Sequence, residues 1–151
     1  MLRKLLLVAS LALLPACVSP SETLTGEEGV VLRSGTSVGM CMGYCVSELT
    51  VTPDELLLVE TSRDPAQPTR TRRLPLEQEE WEEILALVNP SDLEGLPETI
   101  GCPDCADGGA EWIEVEHEGG KRRITFEYGH DVERIQPLVE KARELRERFP
   151  R

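Results

Sequence analysis

The chain has 151 residues, a length that suits one domain and excludes large catalytic folds such as the (β/α)8 barrel. It carries 28 Asp and Glu residues against 16 Lys and Arg residues, and this net charge of -12 argues against binding to nucleic acids, which needs a basic surface. Hydrophobic residues make up 40% of the chain, which excludes disorder throughout, although aromatic residues are scarce.

The first element is an N-terminal targeting segment. Arg3 and Lys4 precede an apolar run over residues 5–14, which is far shorter than the roughly 20 residues that cross a bilayer. This arrangement is typical of a signal peptide. The LPAC sequence at residues 14–17 resembles the bacterial lipobox. The resemblance implies that the Cys17 thiol receives a diacylglycerol, that cleavage occurs just before it, and that the new amine is then acylated, for example with palmitate.

This processing sets the expected organisation of the chain. We expect a lipoprotein signal peptide over residues 1–16, a lipidated flexible tether over residues 17–28 and one domain over residues 29–151. The protein would then be lipid-anchored in the bacterial cell envelope. An Asp directly after the lipidated cysteine would favour retention at the inner membrane. Val18 stands at that position, so the outer membrane, facing the periplasm, is the expected location. An ordinary secretory signal is the alternative.

The domain begins with segments that have the period of β-strands. Apolar residues at alternate positions, with turn residues between them, predict two hairpins and two further short strands. The hairpins pair residues 46–52 with 56–61 and 111–117 with 122–128, and the short strands cover 30–32 and 70–74. The glycine-rich residues 34–45 are expected to form an irregular loop. In the second hairpin, Phe126 and Tyr128 should face the core and Glu114 the solvent.

Two amphipathic helices complete the predicted fold. Residues 77–89 place Trp81 and Ile84 on one apolar face, and residues 131–148 have a longer apolar stripe. Pro137 requires that the second helix begins near it or bends there. The fold class is therefore α+β, with an antiparallel sheet of about four to six strands and two helices packed on one face.

Four cysteines remain in the domain. Cys41 and Cys45 stand in a CMGYC sequence, and Cys102 and Cys105 in a CPDC sequence. An oxidising compartment favours disulfides, and the short spacings favour a bond within each motif. Bonds between the motifs would close longer loops and stabilise more, so they stay an alternative. Zinc binding by four thiolates and thiol redox chemistry are further alternatives, although no helix that would lower a thiol pKa is expected after CPDC.

Other candidate sites lack the context that their chemistry needs. The G-x-S-x-G pattern at residues 35–39 precedes no helix, as a nucleophile elbow requires. His117 lies beside a turn and His130 beside a helix start, where capping or exposure is expected. The acidic residues around 104–111 do not have EF-hand spacing. We therefore predict no enzymatic activity, no metal and no cofactor.

The cysteine motifs also suggest a family. The sequences SVGMCMGYCVSELTVT and GCPDCADGGAEWIEVE resemble uncharacterised bacterial lipoproteins that carry a CxGxC-type loop before a strand. The resemblance implies a fold and no activity. The predicted function is that of a lipoprotein that binds a protein partner or supports the cell envelope. A metal-binding or redox protein using Cys41, Cys45, Cys102 and Cys105 is the first alternative, and a domain similar to small α+β protease inhibitors is the second.

Overall fold

A computed structural model describes residues 29–150, so the signal peptide, Cys17 and the tether lie outside the described residues. Its strands are β1 (Val31–Ser37), β2 (Tyr44–Val51), β3 (Glu55–Ser62), β4 (Arg70–Pro75), β5 (Thr99–Ile100), β6 (Ala110–His117) and β7 (Gly120–Glu127). Its α-helices are α1 (Gln78–Leu87), α2 (Pro90–Glu94) and α3 (Gln136–Glu147). The strands form one sheet in the order β4-β3-β2-β1-β6-β7-β5.

The sheet confirms the predicted fold class and corrects the predicted strand count. It has seven strands in place of four to six, because the two-residue β5 joins the edge beside β7 in parallel. All other neighbouring strands are antiparallel. The irregular loop is also shorter than expected. Strand β1 continues to Ser37 and β2 begins at Tyr44, since both are paired along most of the hairpin.

The hydrophobic core lies between one face of the sheet and the helices. The register aligns Leu32 on β1 with Val51 and Val115 on its two neighbours, so all three side chains point to the same face. They join Trp81 of α1 and Leu138 of α3 in one buried cluster. Burying such an aliphatic side chain contributes about 1.5–3 kcal/mol. The helices therefore pack on one face, as predicted, but there are three and not the predicted two, because Pro90–Glu94 form the short helix α2.

Local sequence explains where the helices begin. The side chain of Asn89 accepts a hydrogen bond of 3.1 Å from the backbone of Ser91, which caps α2. The predicted helix over residues 131–148 is shorter in the structure. A 3-10 turn covers Glu133–Ile135, and α3 begins at Gln136 with Pro137 in its first turn, where no backbone N–H is needed.

The sheet has two ends with different roles in the chain. The described chain enters β1 from Gly29 at what we call the proximal end. Because β5 runs parallel to β7 and all other neighbouring strands are antiparallel, four connections meet at the opposite end. We call this the distal end, and it consists of residues 38–43, 63–69, 101–109 and 128–132.

Candidate functional site

Both cysteine motifs lie at the distal end, and each contains its own cysteine pair. Cys41 and Cys45 are at disulfide-bonding distance, with their Cα atoms 5.6 Å apart. Cys102 and Cys105 are likewise paired, with a Cα separation of 5.5 Å. The structure therefore fits bonds within each motif, which is the pairing that the short spacings favour. Each bond closes a small loop at the end of a strand.

The two disulfide loops touch each other through glycines. A Cβ atom on Gly39 would lie only 2.9 Å from the Cα of Asp107. The backbones of the two loops can therefore come this close only because residue 39 has no side chain. Gly109 has a φ of 90°, and a Cβ atom there would lie 2.7 Å from the backbone oxygen of Ser37. Two loops that are remote in sequence thus form one surface.

Large apolar side chains are exposed on this surface. Met40 is 82% exposed and Met42 is 99% exposed, on either side of Cys41. Tyr128 is 51% exposed, which corrects its predicted place in the core. Strand β7 ends at Glu127, and Gly129 with a φ of 75° turns the chain away immediately afterwards. Met40 and Met42 were not among the predicted site residues, although the sequence places them on either side of a cysteine in a glycine-rich loop.

The CPDC loop has an unusual backbone. Asp104, Ala106 and Asp107 have φ values of 64°, 51° and 60°, in the left-handed region that residues with side chains rarely occupy. Cys105 begins a single 3-10 turn that ends before β6, so no α-helix follows the motif. A thioredoxin-like site uses such a helix to lower the pKa of its attacking thiol. Residues 29–150 also include no group of three or more His, Cys, Asp or Glu side chains arranged to hold a metal.

Glu111 is a buried carboxylate below the distal end, on the helix side of the sheet. Its side chain is 1% exposed, and Arg143 Nη2 lies 2.8 Å from its Oε2 atom. Arg146 donates to its other oxygen and to the hydroxyl of Ser34. Burial raises the pKa of Glu111, but the hydrogen bonds and charges of the two arginines outweigh it, so the pKa lies below its ordinary value. Glu111 is thus held as an anion.

Glu114 is buried on the opposite face of the sheet, which corrects its predicted exposure. The face was predicted correctly, but three cations cover the side chain and leave it 1% exposed. Lys121 Nζ lies 2.8 Å and Arg123 Nε 2.7 Å from its oxygens, while Arg33 Nη1 lies at 3.2 Å. Burial raises the pKa of Glu114, and hydrogen bonds from Lys121 and Arg123 lower it further than burial raises it. These contacts indicate a structural role.

A groove of about 810 Å³ lies beside Glu111 on the helix side of the sheet. The hydroxyls of Thr36 and Ser47 lie 3.1 Å apart on two neighbouring strands that line it. Arg72 Nη2 lies 2.7 Å from Glu60 Oε2, and its Nη1 donates to the backbone oxygen of Pro150. The charges that line the groove are therefore largely neutralised within the protein.

The histidines and the G-x-S-x-G pattern have local structural roles. His117 Nδ1 accepts a hydrogen bond of 3.0 Å from the backbone of Gly119 in the β6–β7 turn. His130 Nδ1 lies 3.1 Å from Glu127 Oε2. Within the described part of the chain, neither histidine forms a hydrogen bond with a serine or cysteine side chain. Ser37 ends β1, and a disulfide loop follows it where a nucleophile elbow has a helix.

Comparison with known proteins adds no family to this picture. The chain matches no protein-family model, and no curated protein is similar to it.

Proposed function

We propose that this protein is a periplasm-facing envelope lipoprotein, without enzymatic activity, that binds a protein partner through its distal end. The observation that supports the proposal is that the chain entry and the disulfide loops lie at opposite ends of the domain. The chain enters β1 at the proximal end, and the two disulfide loops lie at the other. A lipid on Cys17 would therefore attach the domain from the side opposite to its exposed loops.

The length of the sheet supports this arrangement. Strand β1 has seven residues, and at about 3.3 Å per residue it separates the two ends by roughly 20 Å. No helix within residues 29–150 is long and apolar enough to cross a membrane. The proposal assigns membrane attachment to the acyl chains on Cys17, and two or more such chains anchor stably.

The distal surface is suited to a protein partner. Met40, Met42 and Tyr128 expose apolar groups on loops that two disulfides constrain. Constrained loops lose less conformational entropy when a partner binds. Methionine side chains adapt to the shape of an opposing apolar surface, and tyrosine is enriched at protein interfaces.

The lipid anchor is tested with a Cys17→Ser variant. We expect the unchanged protein in the detergent-soluble membrane fraction of the producing bacterium, with an N-terminal peptide that starts at residue 17 and carries acyl mass. The variant should lose that mass and leave the membrane fraction. Equal membrane association of both proteins would contradict the anchor.

The partner surface is tested by photo-crosslinking in intact cells. A photoreactive amino acid at position 42 samples the distal end, and the same amino acid at Glu118 samples an exposed turn at the proximal end. We expect a discrete crosslinked product from position 42 and no such product from position 118. The yield of this product should fall when Tyr128→Asp is added. The same products from both positions, or none from position 42, would contradict the proposal.

A further inference from the structure

Four sulfur atoms come from one short loop at the distal end. The whole chain has three methionines, and two of them, Met40 and Met42, stand on either side of Cys41 in this loop. Cys45 follows at the start of β2 and is bonded to Cys41. The methionine side chains are 82% and 99% exposed, so hydrophobic burial does not account for them.

The chemistry of these sulfurs points to one metal ion. Thioethers and thiolates are soft ligands, and together they select copper(I). Zinc takes thiolates, imidazoles and carboxylates, so methionines would add nothing to a zinc site. We propose that residues 40–45, once the disulfide is reduced, bind one copper(I) ion through the sulfurs of Met40, Cys41, Met42 and Cys45.

The backbone keeps the two cysteines close together, and each methionine is adjacent to Cys41 in the sequence. The Cα atoms of Cys41 and Cys45 are 5.6 Å apart, and the backbone N–H of Val38 donates to the Cys45 oxygen at 2.9 Å. Neither that backbone bond nor the β1–β2 ladder involves a cysteine side chain, so we expect both to persist when the disulfide opens. A Cβ atom at Gly43 would meet no atom within 4 Å, so the turn has space in which the side chains reorient around an ion.

The second cysteine pair lacks the same ligand set. Cys102 and Cys105 enclose Pro103 and Asp104, and no methionine stands near them in sequence. This pair can supply two thiolates when reduced, without thioethers. Because Gly39 and Asp107 bring the two loops into contact, the contribution of this pair to copper(I) binding is tested by removing it.

The disulfide makes binding depend on the redox state. A dithiol reductant gives two electrons and two protons to the Cys41–Cys45 bond, yielding two thiols while the reductant becomes a disulfide. Copper(I) then displaces the two thiol protons and stays in the +1 state. In the oxidised protein only the two thioethers remain as ligands.

The experiment uses the protein as the producing bacterium makes it, purified in detergent and kept under anaerobic conditions. The protein is reduced with a phosphine and titrated with copper(I) against the chromogenic competitor bicinchoninate. We expect the Met40→Leu/Met42→Leu variant to bind copper(I) about tenfold or more weakly than the unchanged chain, because losing even an outer-shell partner costs about 10–100-fold in metal affinity. Zinc affinity, measured on the same two proteins, should not change. Both residues are exposed, so the variant should keep its thermal unfolding midpoint.

Two further measurements locate the site. A Cys102→Ser/Cys105→Ser chain should retain one copper(I) that depends on the methionines, and the oxidised unchanged chain should bind about 10–100-fold more weakly than the reduced one. If either of the cysteine-to-serine variants does not fold, the copper(I) affinities of the Met40→Leu/Met42→Leu variant and the unchanged chain still test the proposal. Equal copper(I) affinity of these two proteins would overturn the proposal, as would unchanged binding by a Cys41→Ser/Cys45→Ser chain.

Discussion

Glu111 on β6 and Arg143 on α3 form a two-pronged ion pair across the interface between sheet and helix. Arg143 Nη2 lies 2.8 Å from Glu111 Oε2, and its Nε lies 3.2 Å from both carboxylate oxygens. The same arginine donates to the backbone oxygen of His130 at 2.7 Å. One buried carboxylate thus ties α3 to the sheet and to the segment that follows β7.

Glu111→Gln should strongly destabilise the fold. The substitution leaves Arg143 and Arg146 without their buried counter-charge, and breaking such a pair costs about 3–5 kcal/mol. Urea unfolding measures the loss. Glu118→Gln is the matched control, since Glu118 lies in an exposed turn and its change should stay within about 0.5 kcal/mol. A similar small effect of both variants would show that the ion pair adds little.

The lowered pKa of Glu111 predicts how stability depends on pH. Folding favours the carboxylate, so this contribution is complete above the unfolded pKa of about 4.3 and is lost as the pH falls through the lower folded value. The difference in unfolding free energy between the unchanged chain and Glu111→Gln should therefore be constant near neutral pH and shrink below about pH 4. A difference that grows on acidification would contradict the assigned direction.

The two disulfides should be reduced in a fixed order, with Cys102–Cys105 first. Both of its cysteines are exposed, whereas Cys45 in the other bond is only 3% exposed. Occupying the left-handed region costs free energy for residues that have a side chain. Reduction of Cys102–Cys105 allows Asp104 and Ala106 to leave that region, which favours the reduction. Limited phosphine reduction, alkylation and peptide mass analysis give the order. In urea both bonds should react at similar rates, and earlier reduction of Cys41–Cys45 in the folded protein would contradict the prediction.

Periodic sequence predicted the elements whose faces bury apolar residues. Trp81 and Ile84 are fully buried in α1, as their helical spacing predicts. Strand β5 was not predicted, because a strand of two residues is too short to show an alternating pattern of apolar and polar residues. Tyr128 was misplaced because the alternation continues in the sequence for one residue after the strand has ended. Alternation assigns a side chain to a face, and it does not say what covers it there.

The candidate site was harder to predict than the elements. The cysteine spacing favoured the two local pairs, but the contact between Gly39 and Asp107 joins loops that only the strand order brings together. The same reason hides the partners of Glu111 and Glu114. Arg143 and Arg33 come from elements far away in sequence, and a sequence pattern carries no information about their distance.

Gly35→Ala should destabilise the sheet because of Trp112. The two residues are directly opposite on β1 and β6, and a Cβ atom at position 35 would overlap the Trp112 ring. Overpacking of this kind costs about 1–3 kcal/mol. The same substitution in a Trp112→Leu background should cost much less, because a shorter side chain leaves room for the methyl group and alanine loses less entropy than glycine in a strand. A double-mutant cycle by urea unfolding measures this coupling. Equal costs in both backgrounds would show that the tryptophan ring is not the reason for glycine at this position.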